Sequence, residues 1–469
     1  MNGIVSYEGS LPFRAEAFLD HPERLRQVLT ASGTFNFRPY ASGLFPASDL
    51  PPGTARATGM GKAWFRDNVH VANALFEAGE LDLASATGRA MFTVFKRNRD
   101  VLCEPAYDHR LVVRIDGDTL QNDTEHRVQN DSVGYPLWFM SKLLDRGALR
   151  PTRERLDLIT QTVGYLAKIR YWQDVDQGHW EERDRIHASS IGVVVAGLRH
   201  ARQMLSRLDY PHRLPFDDLE TAGMEAFRSI LAKRVTDLPP GGKLPAEATA
   251  LSCSDDMHEP AATREYLRSF SVERREHDAA LLFLVEPLGL LQGDEAEAIV
   301  QNVRRHLARH IGTIRYPGDT YWEPRFPSIM SVEERTQQAE GATERRDQTA
   351  AGIAYAGAEA QWTIFDSPSS TYSGKKRSAG GGSQDRADQL HYLNRSLAQL
   401  VSIDGGKKLL PPEAFYLEYD SGVEPASPTT GDTLGHLVGH NRWTPNHHMP
   451  LLWAQANLLT SLLLFEKTS

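Results

Sequence analysis

The chain has 469 residues, 41% of them hydrophobic, so it can bury one large core or two ordinary ones and is long enough for an enzyme. A net charge of −9, a sequence pI near 6.0 and interspersed acids and bases offer no basic surface to nucleic acid or anionic lipid. Two cysteines, Cys103 and Cys253, neither build a disulfide framework nor match a zinc spacing, and both are expected to be reduced core thiols.

The N-terminal stretch MNGIVSYEGSLPFRAEAF has no charged n-region, apolar run or small-residue cleavage site, which points to the cytoplasm. Helical periodicity then recurs along the chain, near 16–31, 66–79, 82–98 and 131–145. A segment opened by Pro151 and Thr152 carries Leu156, Ile159, Val163, Leu166 and Ile169 on one face, as a one-sided amphipathic helix does. Further helices are predicted at 188–207, 217–234 and 276–287. Another runs from Asp294, with Glu297 three residues on as in a capping box, to a terminating Gly312. The last three fall near 350–365, 386–402 and 447–466; the final one, although apolar, is interrupted by Gln455, Asn457, Thr460 and Ser461 and is read as buried, not membrane-spanning.

Some of these twelve helices are amphipathic and others, such as 188–198 and 447–465, are apolar on nearly every face. That contrast predicts an outer layer of helices around an inner one, hence a toroid. Strands are few: Leu111 to Ile115, before the Asp116-Gly117-Asp118 turn, reads as one arm of a small hairpin. The stretches 33–63, 100–128, 239–262, 313–345 and 403–446 read as long loops, which would crowd one mouth of the toroid. The low-complexity run 367–385, SPSSTYSGKKRSAGGGSQD, reads as a solvated loop or, alternatively, a lid. Its Gly374-Lys375-Lys376 string follows no strand and makes no phosphate loop.

Cleaving a glycosidic bond takes one carboxylic acid to protonate the leaving oxygen and one carboxylate to activate water or attack the sugar. Both must sit beside aromatic rings and polar groups that take up a saccharide. Gly178-His179-Trp180-Glu181-Glu182-Arg183 is a polar turn with an indole beside paired acids, where desolvation and the charge of Glu182 are expected to raise the proton affinity of Glu181. Trp64-Phe65-Arg66-Asp67 precedes an apolar helix that Asp67 can cap while Arg66 faces outward, and Gln129-Asn130-Asp131-Ser132 opens the next helix with Asp131 as a capping candidate. Arg315-Tyr316-Pro317-Gly318-Asp319-Thr320-Tyr321-Trp322 crowds a guanidinium and aromatic rings onto a proline turn. Leu409-Leu410-Pro411-Pro412-Glu413-Ala414-Phe415-Tyr416 holds an acid in a stiff loop. Each has a plain structural explanation as well: a charged turn, two capped helix starts, an aromatic corner and a solvated glutamate.

In this order the five clusters resemble the glucoamylases of glycoside hydrolase family 15 and the related toroid domain of phosphorylase kinase regulatory subunits. Arg66-Asp67 looks like the family's sugar-gripping Arg-Asp pair, Gln129-x-Asp131 like its Gln-x-Asp helix start, and Trp180-Glu181-Glu182 like its acid loop. Arg315-Tyr316-Pro317-x-Asp319-Thr320-Tyr321 resembles its Arg-Tyr-Pro-x-Asp-Thr-Tyr turn. Glu413-x-Phe415 is similar to the Glu-Gln-Phe site of the base, with Ala414 in place of Gln, and Trp453-Ala454-Gln455-Ala456 looks like the Trp-Ala-x-Ala helix that closes the toroid.

The resemblance implies an all-α, (α/α)6 toroid with long loops and minor β-hairpins, one catalytic domain over 1–469, with about 1–35 an N-terminal helix packed on it. It implies an exo-acting, inverting α-glucoside hydrolase with Glu181 as general acid and Glu413 as general base, their carboxyls roughly 6.5–9.5 Å apart. Trp64, Arg66, Asp67, Asp131, Trp180, Glu182 and Arg315 would bind the sugar, with no metal, organic cofactor, nucleic acid or membrane involved. Two other readings remain at this stage: a non-catalytic carbohydrate-sensing domain, as in the kinase subunits, and a disaccharide phosphorylase. His436, His440, His447 and His448 lack a carboxylate at useful spacing and are expected to be solvated or helix-capping, not metal ligands.

Overall fold

A computed structural model of the chain describes residues 14–105, 110–111, 114–122, 128–181, 185–234, 275–319, 321–322, 359–418 and 442–469. Among these residues the helices are α1 Pro22–Ala31, α2 Pro52–Thr58, α3 Phe65–Glu77, α4 Leu81–Arg97, α5 Arg99–Cys103, α6 Asp131–Asp145, α7 Arg153–Lys168, α8 Ala188–Arg207 and α9 Phe216–Arg234. They continue with α10 Leu282–Val285, α11 Gly293–Asn302, α12 Asp366–Ser378, α13 Ser383–Ala398 and α14 Leu452–Thr468. The strands are β1 Ala63–Trp64, β2 Arg114–Ile115, β3 Gln361–Trp362, β4 Val401–Ile403, β5 Lys408–Leu410, β6 Ala414–Glu418 and β7 Arg442–Pro445.

Helices α3, α6, α8, α10, α12 and α14 each pack on the next, and α14 returns to α3, so six helices close an inner ring. Against them lie α4, α7, α9, α11, α13 and α1 in turn. The chain is thus an (α/α)6 toroid, with N-terminal α1 as the outer partner of C-terminal α14; Arg26 Nε donates to Glu466 Oε1 at 2.6 Å across that pair. Burial explains the two layers. On α3 every residue from Phe65 to Leu75 is buried, whereas α1 buries only Leu25 and Leu29.

Several predicted elements change. Residues 350–358 lie outside the described set, and 359–365 form no helix but a short strand and a turn. Of the run 367–385 read as a solvated loop or lid, only 379–382 is an exposed connection; its end opens α13, and most of it belongs to α12, buried at Asp366, Ser367, Pro368, Ser369, Ser370, Thr371, Ser373 and Gly374. Its weak helix formers are there because an inner helix wedged between neighbours needs small side chains; Ser370 Oγ donates to the Gln389 carbonyl at 2.8 Å. The predicted 276–287 helix shrinks to a 3₁₀ turn, Ala279–Leu281, plus α10, and the one from Asp294 ends in a π turn, Val303–Leu307. Within 403–446 the chain forms β4–β5 and the strands β6 and β7. β2 pairs mainly with β1, although Ile115 also faces Asn122 across the expected turn. Cys103 is exposed, not a core thiol, because it ends a short helix at the surface; Cys253 lies outside the described residues. No helix of the described residues is long and apolar enough to cross a membrane.

Candidate active site

The N-terminal ends of the inner helices, with the segments leading into them, meet around one cavity. It is lined by Trp64, Arg66, Asp67, Trp180, Glu181, Arg315 and Glu413, and also by Ala47, Met60, His179, Tyr321, Trp362, Leu451 and Trp453. The first seven are residues singled out from the sequence. Helix N-termini present unpaired N–H groups and a positive dipole end, so carboxylates are favoured there.

Glu181 closes a tight turn whose backbone it must enter with φ 55°, a left-handed conformation that costs a non-glycine residue energy. The turn is pinned from outside. Asp176 pairs with Arg185 across its base, accepts from His187 Nδ1 at 2.8 Å and from the Asn130 N–H at 2.9 Å, and so ties the loop to the starts of α8 and α6. Trp180 donates Nε1–H to Asp278 Oδ1 at 3.0 Å, which fixes the indole as a wall.

Arg66 does not face outward. It is 4% exposed and donates to Asp131 Oδ2 at 2.9 Å, to Gln129 Oε1 at 3.3 Å and to Glu181 Oε1 at 3.1 Å. Burial alone would lower its proton affinity, yet Asp131 and Glu181 keep the guanidinium firmly charged. Asp131, expected to bind sugar, is fully buried and does not line the cavity: its carboxylate is spent on Arg66. Asp67 is not the N-cap residue: Trp64 precedes α3, and Asp67 lies in the first turn facing the cavity, its carboxyl accepting from its own N–H. Its carboxyl is pushed up to about 7, chiefly by burial, with Arg66 opposing and Glu181 and Glu413 adding. Glu182 and Thr320 lie outside the described residues.

Glu413 precedes β6 in the sheet ordered β3-β6-β7, which brings Trp362 and Asn446 to the same place. Three donors reach its Oε2: Tyr321 Oη at 3.2 Å, Asn446 Nδ2 at 2.7 Å and His448 Nδ1 at 2.8 Å. Burial pushes this carboxyl up, but His448, Asn446 and the more distant Arg315 outweigh it and hold the group below its ordinary value. A buried glutamate that stays ionised can accept a proton. His448, expected to be solvated or capping, is 1% exposed and spent on Glu413. The sequence run of histidines gave no sign of this, because the partner arrives through strand pairing.

Arg315 grips Asp319 through two bonds, 2.6 and 2.7 Å, while its guanidinium carbon lies 4.9 Å from the Trp362 ring and 5.2 Å from the Trp180 ring. His179, buried beside Arg66, is pushed down to about 3 by burial and then by that charge, so it is neutral. At the cavity wall the Trp453 ring packs at a tilt against His70, with centroids 4.6 Å apart, and against Phe283, 4.9 Å apart. The arrangement is an aromatic-lined pocket with two glutamates, Asp67 and two arginines, Arg66 and Arg315, at its walls. Among the described residues no group of three or more His, Cys, Asp or Glu is placed to hold a metal ion.

Residues 36–320, more than half of the chain, match the model of glycosyl hydrolases family 15. No curated protein matches. Among solved structures, a glycosidase carrying a glutamate-to-alanine substitution superposes with a TM-score of 0.57 at 17% identity, over 95% of this chain and 98% of its own. A second glycosidase, in complex with glucose, gives 0.56 at 17% over the same shares. The glucoamylase from Saccharomycopsis fibuligera gives 0.50 at 12%, over 99% of both chains. At such identities the likeness is one of fold.

Proposed function

Because the chain belongs to glycosyl hydrolases family 15 and is a glycoside hydrolase, we propose that it removes glucose from the non-reducing end of an α-gluco-oligosaccharide with inversion. Glu413 is the general base and Glu181 the general acid. A water between Glu413 and the sugar gives its proton to the carboxylate while its oxygen attacks the anomeric carbon. The glycosidic C–O bond breaks, and the departing oxygen takes the proton of Glu181. Trp64 and Trp180 form apolar walls, while Arg66, Asp67, Arg315 and Glu182 hold sugar hydroxyls; Asp131 acts through Arg66.

The observation that carries this reading is that Glu181 and Glu413 line one cavity, the second held ionised by three donors on one oxygen. A sensing domain would need to bind sugar but has no use for a buried, ionised glutamate at the cavity wall.

The test is glucose release from a panel of α-linked glucosides, with the anomer read by NMR before mutarotation. β-Glucose as the first product, abolished in Glu181→Gln with the fold unchanged by circular dichroism, is the expected result. α-Glucose would mean retention, phosphate-dependent sugar phosphate would mean a phosphorylase, and undiminished release by Glu181→Gln would remove that residue from the chemistry.

A further inference from the structure

Resting on the reading of Glu413 as the base, we propose that His448 is its positioning residue, an imidazole that claims Oε2 and so makes Oε1 the oxygen that takes the proton from water. Tyr321, Asn446 and His448 all donate to Oε2, at 3.2, 2.7 and 2.8 Å. An oxygen already accepting three hydrogen bonds has no lone-pair direction left for a fourth, so the reacting water must use the other one. Since a carboxylate oxygen only accepts, Nδ1 of His448 carries the hydrogen.

The ring is placed for this contact and little else. Its backbone carbonyl accepts from the Glu413 N–H at 3.0 Å, so the two residues are joined through main chain and side chain together. The imidazole stands edge-on to Trp322, with centroids 5.7 Å apart and planes at 86°. Its Nε2 is buried without a hydrogen-bond partner among the described residues, whereas an imidazole kept as a bridge would use both nitrogens. Of the three donors only His448 can also bear a positive charge. Among the described residues the other ionisable groups around Glu413 include Tyr321, Asp67 on α3, Glu181 in the same cavity and Arg315, whose charge is already matched by Asp319, while His447 stands 4.5 Å from the His448 ring. His448 therefore leads the influences that oppose burial at Glu413.

The step balances as follows. Oε1 gains the water proton, the water oxygen bonds to the anomeric carbon, the glycosidic bond breaks, and Glu181 gives up one proton. Solvent returns both acids to their starting forms.

The experiment compares the full-length chain with His448→Ala and His448→Asn, whose side-chain amide restores a neutral donor near Nδ1. Glucose release from a maltooligosaccharide is measured against pH. The titration of Glu413 is followed by ¹³C NMR without substrate, its resonance assigned with Glu413→Gln. For His448→Ala, kcat should fall about 10- to 100-fold, the loss expected on removing a hydrogen bond to a charged group. Its KM should change far less, and the acid limb and the NMR midpoint should both move to higher pH. His448→Asn should recover much of kcat while its midpoint stays above that of the wild type. An unmoved Glu413 midpoint in folded His448→Ala or His448→Asn overturns the proposal, as does a loss of activity with an unshifted acid limb. The NMR midpoint is read without turnover, so a chain that releases no glucose overturns the functional reading alone, while the titration still decides the role of His448.

Discussion

Asp67 sits among Arg66, Glu181 and Glu413 with 7% of its surface exposed, and its carboxyl is pushed up to about 7 from 3.8, by burial first. An acid whose folded value exceeds its unfolded one binds more protons when folded across that window. The stability it contributes is therefore complete below the unfolded value and is lost as pH rises through about 7. Asp67→Asn cannot titrate, so the stability lost by the wild type between about pH 5 and about pH 8 should shrink in the variant. Urea midpoints of both proteins at the two pH values measure it; identical pH dependence would mean that Asp67 ionises as an ordinary surface aspartate. At this scale the sequence was informative where chemistry is local. Trp180-Glu181 and Arg66-Asp67 are neighbours in the chain, so an indole beside acids or a paired charge can be read directly. The directions of Arg66 and Asp67 could not, since they depend on Asp131 and Glu181 arriving from other elements. His448 was misread for the same reason: it meets Glu413 only because β6 pairs with β7, and pairing register is a non-local property.

Helices are legible where apolar residues mark them, on one face as in α7 or all round as in α8 and α14. The helix opened by Pro151-Thr152 is the clearest case: Arg153–Lys168 shows one apolar face and a Thr152 cap that accepts from the Arg155 N–H at 3.3 Å. α12 was missed because its inner position replaces hydrophobic periodicity with small polar residues, and low-complexity sequence then imitates a loop. The same demand for closeness governs α6 and α8. A Cβ on Gly134 would come within 2.8 Å of the Val194 backbone nitrogen and 2.9 Å of the Val193 carbonyl, neither of which can swing aside. Gly134→Ala should therefore push these helices apart and cost about 1–3 kcal/mol, as overpacking does. Gly164, on outer helix α7, has nothing within 4 Å of the same added carbon. Gly164→Ala should be neutral or gain up to about 1 kcal/mol from helix propensity. Denaturant midpoints with matched m-values check the pair, and equal effects at both positions would contradict the packing described for the inner ring.

Across the whole molecule, the parallel arrangement of the inner helices separates its two ends. Their N-termini gather Arg66, Asp67 and Trp453 at the candidate active site, while the far ends of α3, α6 and α14 place Glu77, Lys142 and Lys467 around a second cavity. Between them, among the described residues, Trp453 packs at a tilt against His70 and Phe283, and Phe283 lies 5.5 Å from Phe365. On the proposed exo-acting reading, only a terminal unit of a polysaccharide descends to Glu181 and Glu413. Bridging the 4- and 6-hydroxyls of the non-reducing glucose with an ethylidene group adds bulk at the unit that must enter and removes two hydroxyl donors from its reach. Such a blocked maltooligosaccharide should resist the enzyme, while the unblocked one loses glucose units singly with no mid-length fragments accumulating early. Chromatography of both time courses decides the matter: fragments from the blocked chain would require a cleft open at both ends and would overturn the exo-acting reading.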